Sequence, residues 1–254
     1  MNYFKISIIA IATFFTQTIY AQQDSTKAIS TFSGSVGVTN NGFSIIPTFS
    51  LNKPAAIMNF SWRKNRFSFN PDIRLVTDAS KGGFIFWFRY QLVQQKKFGL
   101  RVSAHPAFSL VKRTVNDNGT STEITEMLRF LAYEIAPNYQ LTPHLNLSAV
   151  YLQGNGLQKH GPQLTQVLFL NASISNVNLG KALRLNFTPS VYFLNTDGYT
   201  GNYLAATAGL SKKGFPFALQ YTINQTFTSD VPGNKDFMWN VLLSYNFSKN
   251  FKKI

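Results

Sequence analysis

Residues 183–193 read Leu183-Arg-Leu-Asn-Phe-Thr-Pro-Ser-Val-Tyr-Phe193, apolar at the odd positions and mostly polar at the even ones. Alternation of this kind gives a strand with one apolar and one wet face. The beat recurs about a dozen times along the chain. Its wet face is made mostly of Ser, Thr, Asn and Gln, where a soluble sheet would spread Lys and Glu toward bulk water. Such strands suit a barrel with lipid outside and a polar lumen within.

Composition points the same way. Charged residues make up 13% of the 254-residue chain, against about 25% in an ordinary soluble domain, while Phe alone supplies 24 residues. No later segment approaches a transmembrane helix, so entry into a bilayer requires a closed set of strands, the other structure that satisfies every backbone hydrogen bond in lipid. A soluble secreted β-sandwich or barrel, burying the apolar face inside, is the competing fold.

Residues 1–21 read as a secretory signal peptide: Lys5, an apolar core over 6–15, and Ala21 before Gln22 at the cleavage point. The apolar run is well short of the roughly 20 residues that span a bilayer. The mature domain then covers 22–254. The chain has no cysteine, which excludes a lipid-modified N-terminal Cys, a disulfide framework and a thiolate metal site.

Alternation places strands near 43–51, 55–63, 66–76, 84–93, 98–111, 127–140, 144–153, 164–176, 182–194, 202–211, 216–227 and 237–247, with 34–38 as a possible extension. The fold expected is all-β: a transmembrane antiparallel up-and-down barrel of about twelve strands, with N- and C-termini periplasmic. Long connections at 112–126, 154–163, 195–202 and 228–236 alternate with short ones at 141–144, 177–181 and 211–215, which supports that parity. The first half fits less well, because the turn at 52–54 is short where an outer loop is needed.

The phase assigns to lipid Phe43, Ile45, Phe49 and Leu51, then Met58, Phe60 and Trp62, Phe67, Phe69, Ile73 and Leu75, Phe84, Phe86, Phe88 and Tyr90, and finally Phe237, Trp239, Val241, Leu243, Tyr245 and Phe247. No charge falls mid-strand on this face, with Arg129 close to a strand end. Tyr90, Tyr139, Tyr151, Tyr203 and Tyr245 are expected in the interfacial girdles. Pro47, Pro71, Pro106, Pro137 and Pro189 share the outward phase, where proline cannot donate to a ladder; each marks a bulge or a shorter strand.

The opposite phase puts Asp72, Arg74, Arg89, Arg101, His105, Glu134 and Arg184 in the lumen. Asp72 and Arg89 lie almost opposite across one hairpin, as a cross-strand pair. Ionisable groups at membrane depth pair with one another or line a wet pathway. A basic excess favours small anions; a self-satisfied network that braces or plugs the lumen is the competing reading. The formal charge is +14. Arg63, Lys64, Arg66, Lys96, Lys97, Lys181, Lys212, Lys213, Lys249, Lys252 and Lys253 gather at the predicted periplasmic turns and tail, as a rim for anionic head groups or as ordinary solvated turn residues. Export and the lack of a basic run argue against nucleic acid. His105, His144 and His160 show no His-x-Ser arrangement and no ligand spacing, so neither an enzyme nor a metal or other cofactor is expected.

The signal peptide, the amphipathic strands and the aromatic run from Trp239 to Phe247 resemble outer-membrane β-barrel proteins of Gram-negative bacteria. The stretch 34–51, Gly34-Ser-Val-Gly-Val-Thr-Asn-Asn-Gly-Phe-Ser-Ile-Ile-Pro-Thr-Phe-Ser-Leu51, is also similar to uncharacterised barrels of that kind. The resemblance implies an outer-membrane location, outer-membrane lipids as surroundings and a terminal aromatic strand read by the barrel-insertion machinery. Here 248–254 follow Phe247. Two function classes result: a narrow channel for small polar or anionic solutes, and a non-conducting envelope barrel serving as structural anchor or adhesion platform.

Overall fold

The structure, a computed structural model, describes residues 30–251 apart from Ile45, Pro47, Thr48, Ala79, Asn118 and Gly119. The signal peptide, Lys252 and Lys253 lie outside the described residues. Twelve strands follow one another: β1 (Ser30–Thr39), β2 (Ala55–Lys64), β3 (Phe67–Val76), β4 (Gly82–Gln94), β5 (Phe98–Asp117), β6 (Thr120–Gln140), β7 (Leu145–Gly156), β8 (Leu164–Leu179), β9 (Leu183–Thr196), β10 (Tyr199–Lys212), β11 (Phe217–Ser229) and β12 (Phe237–Phe251). Each pairs antiparallel with its neighbours in sequence, and β1 pairs with β12 from Ser30↔Phe251 to Thr39↔Leu242, closing the barrel. The expected transmembrane antiparallel barrel is therefore what the chain forms, and closure removes every free edge from the apolar medium.

Both described termini lie at one end, here the terminal end, with the short turns at 65–66, 95–97, 141–144, 180–182 and 213–216. The basic residues Arg63, Lys64, Arg66, Lys96, Lys97, Lys181, Lys212, Lys213 and Lys249 are at this end too. At the opposite end the connections are 40–54, 77–81, 118–119, 157–163, 197–198 and 230–236.

The count of twelve agrees with expectation, but its first member differs. The described residues of 43–51 form no strand. The place next to β2 is taken by 30–39, which pairs with β2 from Ser30↔Lys64 to Thr39↔Ala55. Its alternation of Phe32, Gly34, Val36 and Val38 is thinned by glycine, and Gly34 is required there: a Cβ would lie 2.7 Å from Phe247 Cζ and 2.9 Å from Phe60 Cδ1. Phe32, Phe60 and Phe247 close over that gap, with ring centroids 5.8–6.4 Å apart. Phe43, Ile46, Phe49 and Leu51 instead pack against the lumen wall, and so Phe43, Phe49 and Leu51 are not lipid-facing.

Two expected loops are strand. Residues 112–126 continue the β5–β6 ladder to Asp117↔Thr120, because Thr114, Val115, Thr120, Thr122, Ile124 and Thr125 are good strand formers. The loop drawn at 195–202 is a two-residue turn, Asp197 and Gly198, both at positive φ (52° and 91°), the Asp-Gly signature of a tight hairpin.

The outward face matches the expected phase from β2 onward. Trp62, Phe88, Tyr90, Tyr139, Trp239, Leu243 and Tyr245 are all exposed, an apolar belt that only a bilayer would cover. Tyr203 departs from its expected girdle: it points inward, 1% exposed, and stacks on Tyr192 with centroids 4.6 Å apart. Val191, paired with Leu170 on β8 and Leu204 on β10, marks the middle of the belt. Val191→Arg should cost about 2–4 kcal/mol in urea unfolding from vesicles, whereas Tyr199→Arg at the rim should cost little.

Four outward prolines obey neither expected alternative. At Pro71 the β2–β3 ladder skips from Asn59↔Asp72 to Trp62↔Phe69, and at Pro106 the β4–β5 ladder skips from Ile85↔Ala107 to Phe88↔Ala104. Pro137 and Pro189 make the same gap in the β6–β7 and β8–β9 ladders. In each case the register resumes unchanged and the other neighbour stays paired throughout, as at Pro71↔Phe86 and Pro189↔Ala206. Each proline turns its missing N–H toward one neighbour, and no bulge or shortened strand is needed. Pro47 lies outside the described residues.

Candidate functional site

The lumen is electrically one-sided. Inward positions of β7–β12 carry Asn, Gln, Ser, Thr and apolar groups, with Arg184 at a strand end as their only described charge. They satisfy one another through Ser190 Oγ to Asn171 Oδ1 (2.6 Å), Asn171 Nδ2 to Ser148 Oγ (3.2 Å) and Tyr192 Oη to Asn224 Oδ1 (2.8 Å). The other ionisable groups inside the barrel stand on β2–β6.

Period-two geometry sets two side chains of one strand on the same face, and on β3 this joins Asp72 to Arg74. The contact is bidentate, Nε to Oδ1 at 2.8 Å and Nη2 to Oδ2 at 2.7 Å. The expected Asp72–Arg89 pair does not form, because the register sets Asp72 opposite Ile85, four positions along the ladder from Arg89. Arg89 faces Ser68 across the ladder and lies instead over Trp87, its Cζ 4.5 Å from the ring centroid. The Trp87 ring also meets His105, centroid to centroid 4.0 Å.

One turn of the wall further, Glu134 on β6 accepts from Arg101 (Nη2, 3.0 Å) and from Ser103 Oγ (2.9 Å), both on β5. Its side chain is 8% exposed against 37% for Arg101. Arg184, also expected in this group, stands apart: it is exposed near the terminal end of β9, opposite Asn178 and Ser211. The structure thus brings together Asp72 with Arg74 and Arg101 with Glu134, and leaves Arg89 with an aromatic partner.

At the terminal end these side chains open into a vestibule of about 350 Å³. Arg63, Arg66, Arg89, Lys96, Lys97 and Arg101 line it, with amides from Asn65, Asn70, Gln91, Gln94, Gln95, Asn138 and Gln140. None of its described lining residues is Asp or Glu. In sequence, the Arg63–Arg66 and Lys96–Lys97 groups are ordinary turn charges; only the closed β2–β6 wall makes them one surface with Arg89 and Arg101.

At the opposite end the described residues of segment 40–54 reach across the lumen. It closes on itself through Leu51 N to Gly42 O (3.0 Å) and through Ser50 Oγ, which accepts from Ser44 N (3.0 Å) and donates to Ser44 O (3.1 Å). Gly42 and Asn52, at φ 50° and 56°, turn the chain inward and back. Leu51 packs with Ala55, Ile57 and Val76, and Ile46 reaches the cluster of Val167, Tyr192, Leu194, Tyr203, Ala205 and Val231. Phe49 sets its edge on Phe130, centroids 5.6 Å apart. The segment therefore spans from the β2–β3 wall to β6 and β8–β10. Outside, Lys53 Nζ meets Asp78 Oδ2 at 2.9 Å. The Ser80 hydroxyl and then the Lys53 ammonium hold the Asp78 carboxyl well below the usual carboxylate range.

Two cavities lie behind this segment. One of about 390 Å³ occupies the middle of the lumen, between Phe43 and Arg74 on one side and Thr207, Thr222 and Asn240 on the other. The second, about 180 Å³, is mostly apolar and sits directly under the segment. Trp87, which lines both, was hidden from sequence reading because it is the inward member of a run, Phe84 to Tyr90, that is aromatic on both faces.

No protein-family model and no curated protein matches the sequence. Solved structures share the fold. The KdgM porin aligns over 85% of this chain and 99% of its own at 12% identity, with a TM-score of 0.51. An outer-membrane channel from Pseudomonas putida F1 aligns over 87% of this chain and 96% of its own at 10% identity, with a TM-score of 0.50. At these identities the likeness is one of architecture, a closed outer-membrane β-barrel.

Proposed function

We propose that this barrel is a narrow channel of a Gram-negative outer membrane, passing small polar or anionic solutes, with its termini and basic vestibule on the periplasmic side. The observation that carries this reading is the vestibule: six basic side chains and seven amides around one opening, with no described carboxylate in its lining. Rings of Arg and Lys select anions by electrostatics, and Arg89 and Arg101 stand at its inner margin. The two fold relatives named as porin and channel are consistent with this reading. The surroundings are outer-membrane lipids, and the aromatic strand from Trp239 to Phe247 serves as the element read by the barrel-insertion machinery.

Bilayer recording with a salt gradient tests it. The wild-type reversal potential should favour anions, and Arg89→Ala combined with Arg101→Ala should bring the preference close to neutral. Unchanged selectivity in that variant would remove the vestibule from the permeation path. A second reading, a non-conducting anchor or adhesion platform, draws on the inward segment, which fills the opposite mouth; conductance no higher than background would favour it.

A further inference from the structure

We propose that Arg89 anchors a binding site for a small, singly charged carboxylate whose body carries hydroxyl groups. The site rests on the channel reading for its place in a pathway and gives that reading its anion. Occupancy is measurable without conduction, so the two can fail separately.

Of Arg74, Arg89 and Arg101, two are neutralised within the protein, Arg74 by Asp72 and Arg101 by Glu134. Among the described residues Arg89 has neither an ion pair nor a hydrogen bond. It is held over Trp87 with its Nε buried, so the end of the side chain that the lumen reaches is the terminal Nη pair. That planar fork matches the two oxygens of a carboxylate, which a halide does not offer. The charges around Arg89 are Arg101, Glu134 and Asp72, and because the two pairs cancel, one positive charge is left over. One negative charge neutralises it. A second would face Asp72 and Glu134, which disfavours a phosphate monoester with its charge of about −1.5 to −2 at pH 7.

The body of the ligand follows from what lies beyond the guanidinium. Arg89 and Asn70 line both the vestibule and a further chamber of about 490 Å³. That chamber shares Asn59 and Trp87 with the mid-lumen cavity, so Arg89 stands where one space passes into the next. Neutral hydroxyls and amides wall it: Ser33, Ser35, Asn59, Ser61, Asn70 and Asn246. Asn70 Nδ2 donates to Ser61 Oγ at 2.7 Å, whereas Ser33, Ser35 and Asn59 make no side-chain hydrogen bond to a described residue. Ser35 and Asn59 are cross-strand partners on β1 and β2, and Ser33 is two residues along the same face. Asp72, the only carboxylate among the described lining residues, is held by Arg74. A row of unused hydroxyl and amide groups both donates and accepts, as hydroxyls on a ligand require.

Glycerate is the probe. The full barrel, labelled with 5-fluorotryptophan, has three resonances, from Trp62, Trp87 and Trp239. Trp87 reports on the site because Arg89 lies against its ring, and Trp62 and Trp239, exposed on the belt, are references. In uncharged detergent at fixed ionic strength, glycerate should shift the Trp87 line along a saturating curve and leave the other two in place. Butyrate, without hydroxyls, should bind several-fold more weakly, and chloride should show no saturation over the same range. Arg89→Gln should abolish saturation, and Arg89→Lys, which keeps the charge but not the fork, should weaken it several-fold. Ser35→Ala combined with Asn59→Ala should erase the advantage of glycerate over butyrate. No saturation in the wild type, or saturation unchanged in Arg89→Gln, overturns the site. Equal binding of glycerate and butyrate, or malate binding more tightly than glycerate, overturns the ligand assigned to it. Should Arg89→Gln fail to fold, the wild-type and Arg89→Lys titrations decide. Anion preference in bilayers without saturation removes this site and leaves the channel reading; saturation in a barrel that does not conduct does the reverse.

Discussion

Excision of residues 40–54, with a two-residue Asn-Gly turn joining Thr39 to Ala55, should raise single-channel conductance on the order of tenfold or more, since the narrowest section of a pore governs its flux. The design is allowed by the ladder: Thr39 and Ala55 are already a cross-strand pair, and an Asn-Gly turn closes such a pair in two residues. The gain is expected because the segment reaches three parts of the wall at once, through Leu51, Phe49 and Ile46. With it gone, the mid-lumen cavity opens to the far mouth and the vestibule becomes the constriction. Anion preference should then persist, now set by Arg89 and Arg101 alone. Conductance equal to wild type would place the barrier elsewhere, and no conductance in either form would leave the anchor reading standing.

Glu134→Ala should be the most destabilising single substitution in the lumen. The carboxylate is nearly buried and takes bonds from Arg101 and Ser103; without it, Arg101 and Arg89 face each other with no counter-charge between them. Breaking a buried pair costs about 3–5 kcal/mol, and because Arg101 keeps access to solvent about 2–4 kcal/mol is expected here. The measurement is the urea midpoint of the barrel in vesicles, with m-values compared to check that one transition is being followed. Glu134→Gln, which keeps an acceptor, should lose less. Glu134→Leu combined with Arg101→Met should recover most of the loss, since an apolar pair needs no desolvated partner. A midpoint unchanged in Glu134→Ala would mean that water already screens this pair.

The barrel is legible because its outward face is written in alternation from Met58 to Phe247, and because antiparallel neighbours and an even strand count restrict the topology. The errors cluster where alternation has a different cause. Phe43, Phe49 and Leu51 alternate as a strand would, yet they do so in a loop whose apolar groups turn to the lumen wall. Of Ser30–Thr39 only 34–38 reads as an extension, because Gly34 and Gly37 replace side chains by neighbours' rings and backbone, a substitution visible only across strands. Phase sorts charged residues by face but does not name their partners. Phase says nothing about whether Asp72 reaches along its strand to Arg74 or across to Arg89. The vestibule illustrates the same limit, since its six bases come from three strands and two turns.

The prolines at 71, 106, 137 and 189 matter before the barrel exists. A chain with a dozen amphipathic strands has to cross water to reach its bilayer, and each naked strand is a template for cross-β growth with its own copies. Pro71 divides Phe67–Val76, Pro106 and Pro137 divide the two longest strands, and Pro189 divides the run Leu183–Thr196. In the finished barrel each one costs two skipped pairs on one side, with the register kept. In the unfolded chain each deprives an aggregating ladder of a donor in its middle, which makes these residues gatekeepers of the journey as much as parts of the wall.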